Sequence, residues 1–349
     1  METEEDNYLD IKYFQTQLIN NDIFLKFSNS EFNTVDLILF SDIFRMHKMT
    51  TVALSDIQKI QINLQKIFAS IPINAQQHYY ERCNMSSMFS TGSDTVDELL
   101  GGGLLSGEIV EIFGSTASGK TQLAMNCTLS LAMQYKKNVI YIDSSSSFSP
   151  SRIVEMYNNN VIMKSTSNMT DDQEIFTILD RIKLCSCYDA TLLFELLNQL
   201  SLQLENEKRD QQNSNTYVCS LKMVVIDSIG TILSPLFGGK QTQGHYIMMA
   251  ISRLMKQIAD SFQVVFLVIN NTVSQTVSSK DKTTSDQHKN EIKSALGESW
   301  LAISNHQLMI HHKYTDDDEE KRSISVEKST RIKNETKYFP FTITSAGIS

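Results

Sequence analysis

The chain has 349 residues, 41% of them hydrophobic, with a mean hydropathy of −0.21, a net charge of −9 and a pI near 5.3. That is enough for one large α/β domain plus a small accessory one, in a globular and soluble protein. The acidic balance excludes a protein that coats nucleic acid through a broad basic face. No apolar stretch is long enough to span a bilayer, and five scattered cysteines with no CxxC pair point to a reducing compartment.

In chain order, residues 8 to 82 read as small and helical. Val35, Leu37 and Ile38, then Ile43 and Phe44, have helical apolar spacing; Leu54, Ile57, Ile60, Leu64, Ile67 and Phe68 repeat the i, i+3, i+4 pattern before Pro72. No catalytic grouping is visible here. A module this short buries little core of its own, so a spare apolar face, with Leu64 and Ile67 on it, is expected to meet a protein partner. Residues 76 to 90 are polar and suit a linker. Ser90 to Leu104 then reads as a capped short helix running into a glycine turn.

The next stretch dominates the chain. Ile109 to Phe113 is strand-like, and Gly114-Ser115-Thr116-Ala117-Ser118-Gly119-Lys120-Thr121 is a full P-loop match, followed by Gln122 and a helical run to Ala132. The glycines allow turns that a Cβ would disfavour. Backbone N–H groups and the helix N-terminus suit the α- and β-phosphates, Lys120 the β- and γ-phosphates, and the Thr121 hydroxyl Mg²⁺. ATP with Mg²⁺ is therefore the expected cofactor.

Beyond it, Asn138 to Asp143 is a strand ending in an acid, followed by a serine run and a helix from residue 153. Residues 158 to 174 read as a polar insertion, Arg181 to Cys187 as a strand and Ala190 to Lys208 as an amphipathic helix. Leu221 to Ser228 is a buried apolar strand ending in Asp227, expected beside the P-loop and able to hold Mg²⁺ through water. Ser234 to Gly244 reads as a loop, Tyr246 to Ser261 as a helix and Val264 to Ile269 as a strand before Asn270 and Asn271. Residues 273 to 293 form a second long polar loop. With Lys240, its Lys280, Lys282, Lys289 and Lys293 are DNA-facing candidates, though Asp281, Asp286 and Glu291 dilute the charge and a solvated insertion explains it equally well. Three strand-like runs close the chain, at Gln307–His311, Ser323–Glu327 and Tyr338–Thr344. The architecture inferred is a parallel αβ core followed by a C-terminal strand meander.

An ordered set of segments resembles the RecA-type recombinases of eukaryotes, and more narrowly their accessory paralogues. It comprises STGSDTVDELLGGGLLSGEIVEI, GKTQ, YIDSSSSFSPSR, LKMVVIDS, SPLFGGK and ALGESW. SPLFGGKQTQG and the N-terminal FNTVDLILFSD and IFASIPINA look most like paralogue D, the delta member. The resemblance implies a RecA-like P-loop ATPase core over residues 86 to 349 behind a small helical domain at 1 to 85. It also implies a nuclear accessory subunit acting with other paralogues on single-stranded DNA in homologous recombination. Two departures matter. Ser145 stands where recombinases carry the Glu that orients water, and a hydroxyl is no general base near neutral pH. Asn271 stands where they carry a phosphate-sensing Gln. No Phe-x-x-Ala self-assembly motif occurs between Ile71 and Phe89. At most a weak DNA-dependent ATPase is expected; an active strand-exchange recombinase is the alternative, and a RecA-like helicase or ring kinase a more distant one.

Overall fold

A computed structural model describes residues 21–68, 72, 74–160, 171–209, 217–237, 242–275, 291–314, 320–333 and 337–349. The chain divides into two compact units, Met1–Glu81 and Arg82–Ser349.

The first unit is helical, with α1 (Asn21–Ser28), α2 (Val35–Phe40), α3 (Ile43–Thr50), α4 (Leu54–Phe68) and the start of α5 (Ala75–Met85). Asp42 caps α3, its side chain accepting the Arg45 N–H at 2.9 Å, and Thr51 ends that helix in the left-handed region at φ 57°. Phe27, Phe32, Val35, Ile38, Met46 and Leu64 fill the core. This corrects one expectation: Leu64 is fully buried within the unit's own core, and the Ile67 side chain lies outside the described residues. The polar stretch 76 to 90, expected as a linker, is helical in its first part, and α5 buries none of its residues.

The second unit begins with β1 (Met88–Phe89), α6 (Asp94–Leu99) and β2 (Leu104–Leu105), then β3 (Ile109–Gly114), α7 (Lys120–Gln134) and β4 (Asn138–Asp143). After them come α8 (Pro150–Asn159), α9 (Asp171–Asp180), β5 (Ile182–Ser186), α10 (Ala190–Arg209), β6 (Leu221–Asp227) and α11 (Ile229–Leu233). The chain continues through α12 (Thr242–Phe262), β7 (Val265–Asn270), β8 (Thr272–Gln275), β9 (Glu291–Ser294), α13 (Glu298–Leu301) and β10 (His306–Tyr314). It closes with β11 (Glu320–Ser329), β12 (Phe339–Phe341), β13 (Ile343–Thr344) and β14 (Gly347–Ile348).

Eight strands form one sheet in the order β12-β11-β10-β3-β7-β6-β4-β5. It is parallel from β10 to β5, and β11 and β12 add antiparallel at the other edge. The period-two alternation of strands sorts the core into two layers. Val110, Ile112, Met223 and Val225 pack with α7, whereas Ile109, Val224, Ile226 and Val268 pack with α10 and α12. A parallel core with an antiparallel C-terminal meander, behind a helical unit, is the expected fold class.

Four details differ from expectation. Strand β7 lies between β3 and β6, so the acid at the end of β6 is one strand removed from the P-loop strand. The loop from Ser234 starts as a 3-10 turn, Ser234–Phe237, and α12 already begins at Thr242. The ends of the 273–293 loop are strands β8 and β9, paired antiparallel from Thr272↔Ser294 to Gln275↔Glu291. The last strand-like run is broken at Thr342 into β12 and a separate hairpin of β13 with β14.

Candidate nucleotide site

Register aligns the carboxyl ends of four parallel strands, pairing Phe113 with Asn270, Asp227 with Ile269 and Asp143 with Asp227. In open α/β sheets this edge is where ligands bind. Gly114 ends β3, and a Cβ there would approach the Ile310 carbonyl to 2.6 Å. Gly119 has φ +109°, and a Cβ on it would meet Ile343 at 2.7 Å; both positions require glycine. Between them Ser115, Thr116 and Ala117 are exposed and Ser118 is buried. The 15-residue helix α7 then starts at Lys120, aiming the positive end of its dipole at the loop.

Lys120 folds over that loop. Its Nζ donates to the carbonyls of Gly114 (2.9 Å) and Ser115 (2.7 Å). Partial burial lowers its pKa, with Asp227 opposing the shift. Thr121 Oγ1 donates to Asp227 Oδ2 at 2.7 Å, spanning the strand that separates them. Tyr141 donates its hydroxyl to the same oxygen at 2.9 Å. Asp227 is 3% exposed, and burial raises its pKa; the bonds from Thr121 and Tyr141 oppose that shift. Gln122 Oε1 accepts Arg152 Nε at 2.9 Å.

A cavity of about 290 Å³ lies over the loop, lined by Ala117 to Gln122 together with Arg322 and Ile343. Arg322 also lines a larger cavity of about 750 Å³, with His311, Tyr338, Pro340 and Phe341. Tyr141, Arg152 and Arg322 were not singled out in the sequence. Tyr141 had a signal, as an inward-facing polar tip two residues before Asp143. Arg322 had none, because only the sheet order brings its strand to the P-loop.

Ser145 is exposed; its N–H donates to Asp143 Oδ1 (3.0 Å) and its hydroxyl to Ser147 (3.1 Å). Asp143 Oδ2 accepts the Phe148 N–H at 2.8 Å, so both carboxylate oxygens are engaged in shaping this loop. Asn271 is exposed, its N–H bonded to Asn270 Oδ1 at 2.8 Å. Of the DNA-facing candidates, Lys293 is an exposed residue of β9, and Lys240, Lys280, Lys282 and Lys289 lie outside the described residues. No helix among the described residues is long and apolar enough to cross a membrane.

The profile of the Rad51 family matches residues 82–349. A chain of Dictyostelium discoideum described as a probable DNA repair protein RAD51 homolog 4 is 44% identical over 352 residues, covering 95% of this chain and 96% of its own. The DNA repair protein RAD51 homolog 4 of Bos taurus is 31% identical over 243 residues, 70% of this chain and 67% of its own. The DNA repair protein RAD51 of Mycosarcoma maydis is 24% identical over 257 residues, 72% and 69% of the two chains. On a profile that covers the whole sheet and on the similarity to RAD51 homolog 4 along nearly the full length, the chain belongs to the Rad51 family.

Proposed function

We propose that this chain is an ATP-binding accessory subunit of a recombinase-paralogue complex. It acts in the nucleus in homologous-recombination repair and helps load or hold recombinase on single-stranded DNA. The observation that carries the nucleotide half is the Thr121–Asp227 contact of 2.7 Å beneath a complete P-loop. The residues fit the cofactor. Among the described residues Ser118 Oγ is buried in the loop with no hydrogen-bond partner, and the Lys120 ammonium donates to two neutral carbonyls that an anion would outcompete. Thr121 and Asp227 offer hard oxygens, as Mg²⁺ requires. The ion would neutralise charge on the phosphates. The flat cation and rings of Arg322, His311 and Tyr338 give the nucleoside a place beside the phosphates.

The accessory half rests on what is missing around Asp143. No carboxylate stands at Ser145, and Asp143 is tied to Ser145 N and Phe148 N. ATP is then bound and hydrolysed feebly. The repair role draws on the descriptions of the relatives, and the companion paralogues and DNA on the resemblance to paralogue D.

Calorimetry with Mg·ATP tests the first half. Lys120→Ala is expected to weaken binding about tenfold or more, as loss of a charge-assisted contact of roughly 1.5–3 kcal/mol would. Turnover with single-stranded DNA tests the second, and is expected far below the common enzyme rate of about 10 per second. Brisk DNA-stimulated hydrolysis that Lys120→Ala abolishes would make the chain an active recombinase instead.

A further inference from the structure

One residue breaks the apolar run of β3. Val110 and Ile112 face α7, so alternation puts Glu111 in the opposite layer, among the residues that pack with α12. It is 0% exposed. An uncompensated carboxylate there would cost several kcal/mol, and five donors converge on this one. Oε1 accepts Asn270 Nδ2 (2.8 Å), Trp300 Nε1 (3.0 Å) and Ser294 Oγ. Oε2 accepts Gln307 Nε2 (2.7 Å) and Ser304 Oγ (3.3 Å). Lys328, which donates to the carbonyls of Leu301 and Ser304 at 2.6 Å each, also feels this charge.

The donors come from the end of β7, the base of the β8–β9 hairpin, α13 with the turn after it, and β10. Glu111 itself is three residues from the P-loop glycine Gly114. On the nucleotide side, Gly230 follows Asp227 closely and packs against Asn270, since a Cβ there would come within 2.6 Å of Asn270 Oδ1. Asn270 thus touches the Asp227 segment with its amide oxygen, while its amide nitrogen donates to the Glu111 carboxylate and also to Ser294 Oγ (2.9 Å) and the Ala295 carbonyl (3.0 Å). For stability alone, an apolar residue would serve this layer as well. A carboxylate adds orientation: one oxygen fixes Asn270, Ser294 and Trp300 together.

We propose that Glu111 is a positioning residue that ties the base of the β8–β9 hairpin to the P-loop strand, so that occupancy of the nucleotide site is felt at the hairpin through it. This rests on the nucleotide reading above. Displacement of Asn270 on binding would move an oxygen that Ser294 and Trp300 share.

The chain has one tryptophan, so its emission reports on this network alone. In the full-length chain, Mg·ATP is expected to change Trp300 emission with the midpoint that calorimetry gives for binding. It is also expected to slow amide exchange at 291–294 about fivefold or more, the low end of a coupling between sites. Glu111→Gln sets an amide against the Gln307 amide; it should bind nucleotide but lose both responses. The double variant Glu111→Gln with Gln307→Glu, which exchanges carboxylate and amide, should recover them. Ser294→Ala removes the hydroxyl through which the hairpin meets both Glu111 and Asn270 and leaves the Trp300 bond to Glu111 in place; it should lose the exchange response while keeping the emission response, and it carries the test if Glu111→Gln does not fold. Binding heat without either response in the wild type overturns the inference, as does a Glu111→Gln chain that responds like the wild type. Absence of binding heat in the wild type sinks the nucleotide reading and this inference with it.

Discussion

Asp227 is a buried carboxyl that carries a cost in the ligand-free protein. Burial raises its pKa above that of an exposed carboxyl near 3.9. A group whose folded-state pKa is raised contributes stability that is fully present below its unfolded value and lost as pH climbs through the folded one. The ionised carboxylate is thus a net cost to the ligand-free protein at neutral pH. Asp227→Asn should melt higher than the wild type at neutral pH, with the gap closing as the pH is lowered toward the carboxylate range. The same variant should lose the Mg²⁺-dependent part of ATP affinity. In the wild type, that part should fade on acidification at a pH above the ordinary aspartate range, because the metal needs the ionised form. Melting curves and calorimetry at two pH values check both; a variant that melts lower at neutral pH would show that the bonds from Thr121 and Tyr141 outweigh the burial cost.

Among the elements, the P-loop and its flanking strand and helix were legible because local rules fix them: an apolar run, glycines where a Cβ collides, and a helix starting at Lys120. The β6 strand was legible for the same reason. Its place in the sheet was not, since nothing local says that β7 enters between it and β3. The β8–β9 hairpin was missed because two four-residue strands at the ends of a polar loop carry little alternation. Glu111 did leave a mark, as a charge inside an otherwise apolar buried strand, but its five partners lie 159 to 196 residues away. The C-terminal break at Thr342 has a tertiary cause as well. The β13–β14 hairpin docks on α7 and α8, where Arg152 Nη2 donates to the Thr344 carbonyl at 2.5 Å and the Ile348 N–H to Asn126 Oδ1 at 3.3 Å. Gly347 fits there at φ +119°, and a Cβ would stand 2.2 Å from Asn126 Oδ1. Gly347→Ala should therefore destabilise the second unit by about 1–3 kcal/mol. It should also weaken ATP binding, because the displaced hairpin carries Ile343 over the P-loop cavity. An unchanged melting temperature would mean that the hairpin does not hold its place.

For the whole molecule, the helical unit and the P-loop unit are expected to meet different partners. The i, i+3, i+4 pattern of α4 identified an apolar stripe but could not say what covers it, and the stripe turns inward through Ile57, Ile60 and Leu64. The most exposed aromatics of this unit's first four helices sit on the helices before α4. Leu37 and Phe40 are one turn apart on α2, and Phe44 lies in the first turn of α3; Phe40 is 88% and Phe44 65% exposed. Exposed aromatics at this spacing fit a helix-in-groove or helix-on-helix contact with a protein. Under the paralogue reading, residues 1–85 meet one companion and residues 86–349 another. Phe40→Asp with Phe44→Asp should lose the first companion while the second still co-purifies with the full-length chain, and ATP binding should be unchanged. Loss of two anchoring aromatics costs about 2 kcal/mol or more, enough to weaken that contact about thirtyfold. Lys120→Ala should disturb only the contacts of the P-loop unit. If the paired aspartates leave both companions bound, the exposed stripe is not the docking face. If the full-length chain forms filaments alone on single-stranded DNA, it needs no companions, and the division of labour between the two units falls with them.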